Sequence, residues 1–278
     1  MKHNENFFKG IDNKNIYYQY WVPEEKPKAI LLVIHGLVEH SGRYMNVVNY
    51  FVPKGYAVYA LDHIGHGRSD GNRTLIGQFK DFTDTIKQYF DLVKKWNPNV
   101  PIIIFGHSMG GLITTNYLLD YQSELDAAII SGPPLKMPNI ISNFLGNTLS
   151  SFVPWMGLMR IDPKDISRDK KVVKAYIDDP LVYNGRISVR LLSEIVKGME
   201  RVSKEASKIN LPICIVHGGA DVLADPSGSQ TLFDNVSSQK KSIIFYDGLY
   251  HEVLNEPEHE RVLEDIKIKL EEYVINPG

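Results

Sequence analysis

The sequence predicts an α/β fold: a mostly parallel central sheet flanked by helices, with a helical cap inserted into it. Three observations carry this. Short apolar runs rich in Ile, Val, Tyr and Phe recur along the 278 residues and alternate with segments of helical periodicity. Most of these runs are continuous rather than alternating in polarity, which suits strands buried on both faces. The alternation of strand and helix then stops after Ser131-Gly132-Pro133-Pro134 and resumes only past about Lys208.

Taken in order, the runs Ile16 to Val22, Ala29 to Ile34, Tyr56 to Leu61, Ile102 to Phe105, Ala127 to Ser131, Ile213 to His217 and Ser242 to Tyr246 read as strands. A helix starting near Ser41 is closed by Pro53-Lys54-Gly55, which launches the strand at Tyr56. Phe79, Phe82, Ile86, Phe90 and Val93 recur at spacings of three and four, as do Val262, Ile266, Leu270 and Val274, and both stripes read as helices packed on the core. Residues 1–133 and 209–278 are thus assigned to the core and 134–208 to the cap. With 43% hydrophobic and 23% charged residues, the chain is a globular one able to bury a sizeable core. A formal net charge of -2 excludes the basic profile of a nucleic-acid binder. The single cysteine, Cys214, lies in the apolar run Leu211 to Val216 and reads as a small buried hydrophobe. The N-terminus, Met1-Lys2-His3-Asn4-Glu5-Asn6, lacks the apolar core of a secretory signal, so a cytoplasmic location is the default expectation.

The cap reads as helical and irregular, with no convincing strand. From Met137 to Met159 it has no charged residue, and Ile141, Leu145, Leu149 and Phe152 share one helical face. Pro138, Gly146 and Pro154 interrupt the stretch, which rules out a membrane span. Two readings stay open: cap core, or an apolar surface that lines an acyl tunnel and makes transient, peripheral contact with a membrane surface. The charged remainder, Lys164 to Lys174, reads as a solvated face.

The chemistry centres on Gly106-His107-Ser108-Met109-Gly110, between the strand at Ile102 and a helix that starts at Met109. This is a nucleophile elbow in the context it needs: glycines allow a sharp turn, the turn lifts the Ser108 hydroxyl above the strand end, and the helix N-terminus favours negative charge beside it. A serine needs a histidine to take its proton and a carboxylate to orient that histidine. In α/β-hydrolase folds these follow in the order Ser, Asp/Glu, His at later strand ends. Asp221, after the strand Ile213 to His217, and His251, after the last strand, satisfy that order. Asp225 is the rival acid but is further from the strand end and precedes Pro226; Asp247 reads as a turn former beside Gly248, and His259 as a surface residue. Oxyanion donors are expected from the backbone N–H of Met109 and of Leu37, in the turn His35-Gly36-Leu37. His35, His40, His63 and His66 lack a compact ligand motif and no metal is assigned to them.

His35-Gly36-Leu37-Val38-Glu39-His40-Ser41-Gly42-Arg43-Tyr44, Asp62-His63-Ile64-Gly65-His66-Gly67-Arg68-Ser69, Gly106-His107-Ser108-Met109-Gly110-Gly111 and Tyr250-His251, in that order, resemble the monoglyceride lipase family. The resemblance extends through the cap at Ser167-Arg168-Asp169-Lys170, Tyr176 and Asp179-Pro180-Leu181. It implies hydrolysis of monoacylglycerols to fatty acid and glycerol through an acyl-enzyme, with no metal or organic cofactor. It puts Ser108, Asp221 and His251 in the triad, Leu37 and Met109 at the oxyanion, and Glu39, Arg43, His107 and Tyr176 near the polar end of the pocket. The chain departs from the mammalian pattern in the bulk of Leu37, in having no cap cysteine, and in Glu252-Val253-Leu254-Asn255, which lacks a second histidine. A lysophospholipase or general carboxylesterase on the same triad stays open, as does a non-catalytic hydrolase fold that binds a lipid or protein. The sequence does not set the oligomeric state.

Overall fold

A computed structural model describes residues 1–136 and 155–275. The uncharged cap residues 137–154, including Ile141, Leu145, Leu149 and Phe152, lie outside the described residues. The core is one eight-stranded sheet of order β1-β2-β4-β3-β5-β6-β9-β10, built from β1 (Lys2–Lys9), β2 (Asn15–Val22), β3 (Ile30–Ile34), β4 (Ala57–Leu61), β5 (Ile102–His107), β6 (Ala127–Ser131), β9 (Ile213–Gly218) and β10 (Lys241–Tyr246). From β4 to β10 the neighbours are parallel, while β1–β2 and β2–β4 are antiparallel. Register explains why the chemistry gathers at one edge. Ile34 pairs with Gly106, His107 and Val216 with Ser131, and Gly218 with Tyr246, so the loops after β3, β5, β9 and β10 leave side by side.

The period of two along each strand divides the interior into two cores. Ile30, Leu32 and Ile34 of β3 face one side, against α2 (Lys80–Trp96), α3 (Met109–Tyr121) and α5 (Val189–Glu205); Leu31 and Val33 face the other, against α1 (Met45–Phe51) and α7 (His259–Leu270). All five are fully buried, each worth about 1.5–3 kcal/mol relative to exposure. The expected stripes are the buried faces: Phe82, Ile86, Phe90 and Val93 on α2, and Val262, Ile266 and Leu270 on α7. Cys214 is buried within β9. Two more helices, α4 (Lys170–Asp178) and α6 (Pro226–Asn235), start at Asp169 and Asp225, whose carboxylates accept backbone N–H groups of the first turn.

Two features depart from expectation. The polar N-terminus is strand β1, paired from Lys2 with Val22 to Lys9 with Asn15; it is an exposed edge strand, so it carries no apolar run to announce it. Between β6 and β9 there is also a two-stranded antiparallel sheet, β7 (Gly157–Met159) with β8 (Ile187–Ser188), contrary to the expectation of no strand there. Strands of three and two residues are too short for periodicity to register. Among the described residues no helix is long and apolar enough to cross a membrane.

Candidate active site

Ser108 is the N-cap of α3, with φ 55° and ψ -126°, a strained conformation that points its side chain away from the strand. The turn is held by the Ser108 N–H donating to Ser131 O at 2.8 Å, and it is possible only because backbone crowds both flanking glycines. A Cβ on Gly110 would lie 2.0 Å from Ile34 O, and one on Gly106 2.4 Å from Gly110 O.

The three side chains nominated around the elbow come together. Ser108 Oγ is 2.7 Å from His251 Nε2, and His251 Nδ1 is 2.7 Å from Asp221 Oδ2. Because Nδ1 faces a carboxylate it carries the proton, leaving Nε2 free to accept from the serine hydroxyl. Asp221 is fixed by three further donors: its Oδ1 accepts the N–H groups of Leu223 and Ala224, and its Oδ2 also accepts from His217 Nε2 at 3.0 Å. Burial opposes charge on Asp221, but the attraction of His251 and these hydrogen bonds prevail and hold it well below the usual carboxylate range. Burial likewise opposes protonation of His251, yet Asp221, with Glu252 and Glu39 beyond it, raises its pKa above the ordinary 6.5. The rival Asp225 caps α6 and pairs with Lys136 at 2.9 Å, and His259 sits half-buried at the start of α7.

The N–H groups of Leu37 and Met109 have no acceptor among the described residues. Leu37 lies in a braced turn. His35 Nδ1–H donates to Gly36 O at 2.8 Å, and that carbonyl belongs to the peptide unit whose N–H is Leu37's. The His63 N–H donates to His35 Nε2 at 2.9 Å, and Gly36 N–H donates to Glu39 Oε1 at 2.6 Å. Burial keeps His35 and His63 neutral at ordinary pH, so they act here as fixed hydrogen-bonding groups.

Two spaces meet at Ser108. On one side is a narrow recess of about 20 Å³ whose walls include the polar side chains Glu39, Arg43, His107, Tyr176 and Glu252 together with Ile161, Ile166 and Leu223. Arg43 is its centre: Nη1 donates to Glu39 Oε2 at 2.7 Å, Nη1 and Nη2 grip Glu252 at 2.7 and 2.8 Å, and the guanidinium lies 4.6 Å from the centre of the Tyr176 ring. His107 is bonded through Nδ1 to Ser131 Oγ at 3.1 Å, and burial, then repulsion from His251, depresses its pKa to about 3. On the other side is an apolar cavity of about 250 Å³ lined by Leu37, Met109, Met159, Ile187, Leu192 and Ile195 among others. All four residues expected near the polar end therefore share one wall. Two partners escaped sequence reasoning: His217, read only as a strand end, and Glu252, read only as the place where a histidine is missing.

A family model described as serine aminopeptidase, S33 (Hydrolase_4) matches residues 25–258. A monoacylglycerol lipase of Mycolicibacterium smegmatis is 35% identical over 265 residues, 94% of this chain and 95% of its own. The chain belongs to the monoglyceride lipase family. A monoglyceride lipase of Mus musculus is 34% identical over 246 residues, 87% of this chain and 81% of that one. The crystal structure of Paleococcus ferrophilus monoacylglycerol lipase superposes with a TM-score of 0.81 at 31% identity, over 90% of this chain and 96% of that one. Within this monoglyceride lipase family fold, the present chain places a carboxylate, Glu252, directly after His251 and ties it to Arg43.

Proposed function

We propose that the protein hydrolyses monoacylglycerols to a free fatty acid and glycerol. One observation carries the substrate class: the Ser108 hydroxyl stands between a cluster of polar side chains and an apolar cavity of about 250 Å³, surroundings that suit an ester joining a polar head to a single acyl chain. Family membership supports the same reading.

Ser108 Oγ attacks the ester carbonyl carbon while His251 Nε2 takes its proton. The carbonyl oxygen gathers negative charge and receives the Leu37 and Met109 N–H groups, and loss of one such donor costs roughly 10²–10³ in rate. Asp221 holds His251 in the required tautomer and stabilises its protonated form. As the tetrahedral intermediate collapses, the bond to the glycerol oxygen breaks and His251 returns the proton to it. Water, deprotonated by His251, then attacks the acyl-Ser108 ester and releases the fatty acid. Glu39, Arg43, His107 and Tyr176 line the site of the departing glycerol. Residues 134–208 form the cap over the core made of 1–133 and 209–278, and exposed Trp155, Met156 and Met159 make its peripheral contact with a lipid surface.

The test is a chain-length series of monoacylglycerols beside matching lysophospholipids and diacylglycerols. Monoacylglycerols are expected to be turned over fastest, with Ser108→Ala abolishing turnover and fluorophosphonate labelling while the melting temperature is retained. Lysophospholipid turnover far above monoacylglycerol turnover would overturn the substrate assignment. Failure of the intact protein to label at Ser108 would overturn the mechanism.

A further inference from the structure

The recess beside Ser108 holds more negative charge than positive, and the reaction proposed above makes no use of it. Glu39 and Glu252 both bind Arg43, and all three side chains are less than a tenth exposed. The Arg43 guanidinium, which binds both, favours the ionised form of each carboxylate. Glu39 Oε1 accepts the N–H of Gly36 and the O–H of Tyr44, and its Oε2 accepts from Arg43. Both Glu252 oxygens accept from Arg43, and Oε2 also accepts from Asn255 at 2.9 Å. Both Glu252 oxygens and Glu39 Oε2 face the Arg43 guanidinium, which can donate but cannot accept a proton, and Glu39 Oε1 faces the Gly36 N–H and the Tyr44 hydroxyl. Burial and the mutual repulsion of the two carboxylates push Glu39 upward, whereas Arg43 holds Glu252 below its ordinary value against its own burial. His107 is neutral at ordinary pH. When His251 is in the neutral form that accepts the serine proton and both carboxylates are ionised, the described side chains of this wall carry two negative charges against one positive, and the only guanidinium on it is already held by both carboxylates.

We propose that Glu252, acting with Glu39, makes the recess exclude anions, so that the protein selects neutral glyceryl esters over phosphorylated ones bearing the same acyl chain. Glu252 is then a specificity-determining residue. This rests on the reading that the recess receives the head group of a glyceryl ester. The discrimination expected from one uncompensated charge about 6 Å from a phosphate, at an effective dielectric near 20, is about a hundredfold. Glu252 is the residue to change, because Glu39 also holds the Gly36 N–H and its loss would disturb the turn that carries Leu37.

The experiment compares kcat/KM on 1-monolauroylglycerol and on 1-lauroyl lysophosphatidic acid, each on the alkaline plateau of its measured pH profile, for the wild type and Glu252→Gln. The wild type should favour the neutral ester by about a hundredfold and the variant by at least about tenfold less. An unchanged ratio in a folded variant overturns the proposal. Should Glu252→Gln not fold, protection of wild-type Ser108 from fluorophosphonate by 1-O-dodecylglycerol and by its 3-phosphate reads the same discrimination. Weaker protection by the phosphate supports exclusion, and equal protection overturns it. A wild type that labels but hydrolyses neither ester overturns the substrate reading alone, because the protection assay still reports on the recess.

Discussion

At the scale of single residues, the separation of roles among titratable groups is set by what surrounds each one. Asp221 has four hydrogen-bond donors and stays ionised; His251 has that carboxylate on one nitrogen and the Ser108 hydroxyl on the other. Since the neutral form of His251 must take the serine proton, kcat/KM falls as pH drops through its pKa. That pKa is raised, so the acid limb of the pH profile is expected above 6.5. Asp221→Asn removes the raising charge and the tautomer control together: kcat should fall by about 10⁴, with the residual acid limb moved to lower pH. An unmoved limb in that variant, or a comparable loss in Asp225→Asn, would show that another group orients His251. The juxtaposition of Ser108, His251 and Asp221 was legible because chain order and strand ends restrict where such residues can lie. His217 was not, because a strand-terminal histidine gives no sign of the Nε2–H it donates to Asp221. Nor was the Glu252 pairing, since Arg43 stands 209 residues away in the chain.

At the scale of elements, the site depends on how closely α3 approaches β3. Gly110 allows the first turn of α3 to press against the end of that strand, and its missing Cβ would meet the carbonyl oxygens of Ile34 and His35 at 2.0 and 2.5 Å. Backbone cannot swing aside as a long side chain can. Gly110→Ala is therefore expected to destabilise the protein by about 3 kcal/mol or more, and to reduce turnover in whatever fraction folds, because the shift moves Met109 and the turn at Leu37 apart. Chemical denaturation and active-site titration measure the two effects separately. A near-native melting curve with full activity would refute the close-packing account. The seven core strands read from the sequence all exist, their ends within about two residues of those expected. They were legible because strands buried on both faces must be apolar throughout. Strand β1 was not, because only Phe8 of its eight residues is more than marginally covered, and the pair β7–β8 was not, because so few residues cannot establish a period.

At the scale of the whole molecule, the described residues between β7 and β8 grip both the loop after β3 and the loop after β10. The Tyr183 N–H donates to Val38 O at 2.9 Å, and His40 Nε2 lies 2.9 Å from Asp179, so one part of this segment is tied to the turn bearing Leu37. Elsewhere the Glu252 N–H donates to Ile166 O, and Arg168 reaches the fully buried Glu256, which also accepts the Tyr250 N–H beside His251. Arg168, Lys170, Lys171 and Lys174 are all exposed, as expected of a solvated face, and Arg168 in addition compensates a buried carboxylate. The chain at β7 carries apolar side chains into solvent, Trp155 being 73% exposed and Met159, on the wall of the apolar cavity, exposed as well; Val222, on the same wall but after β9, joins them. Exposed apolar groups at the mouth of an apolar cavity are suited to an interface from which a single-chain lipid is drawn. Trp155→Glu replaces the most exposed aromatic with a charge and touches neither the ties to the loops nor Ser108. It is expected to weaken binding to phosphatidylcholine vesicles about tenfold, the equivalent of one lost interfacial side chain, while changing hydrolysis of a short water-soluble ester less than about twofold. Vesicle cosedimentation and a soluble-ester assay on the same preparation make the comparison; equal losses in both would assign Trp155 to cap packing, and unchanged vesicle binding would remove it from the interface.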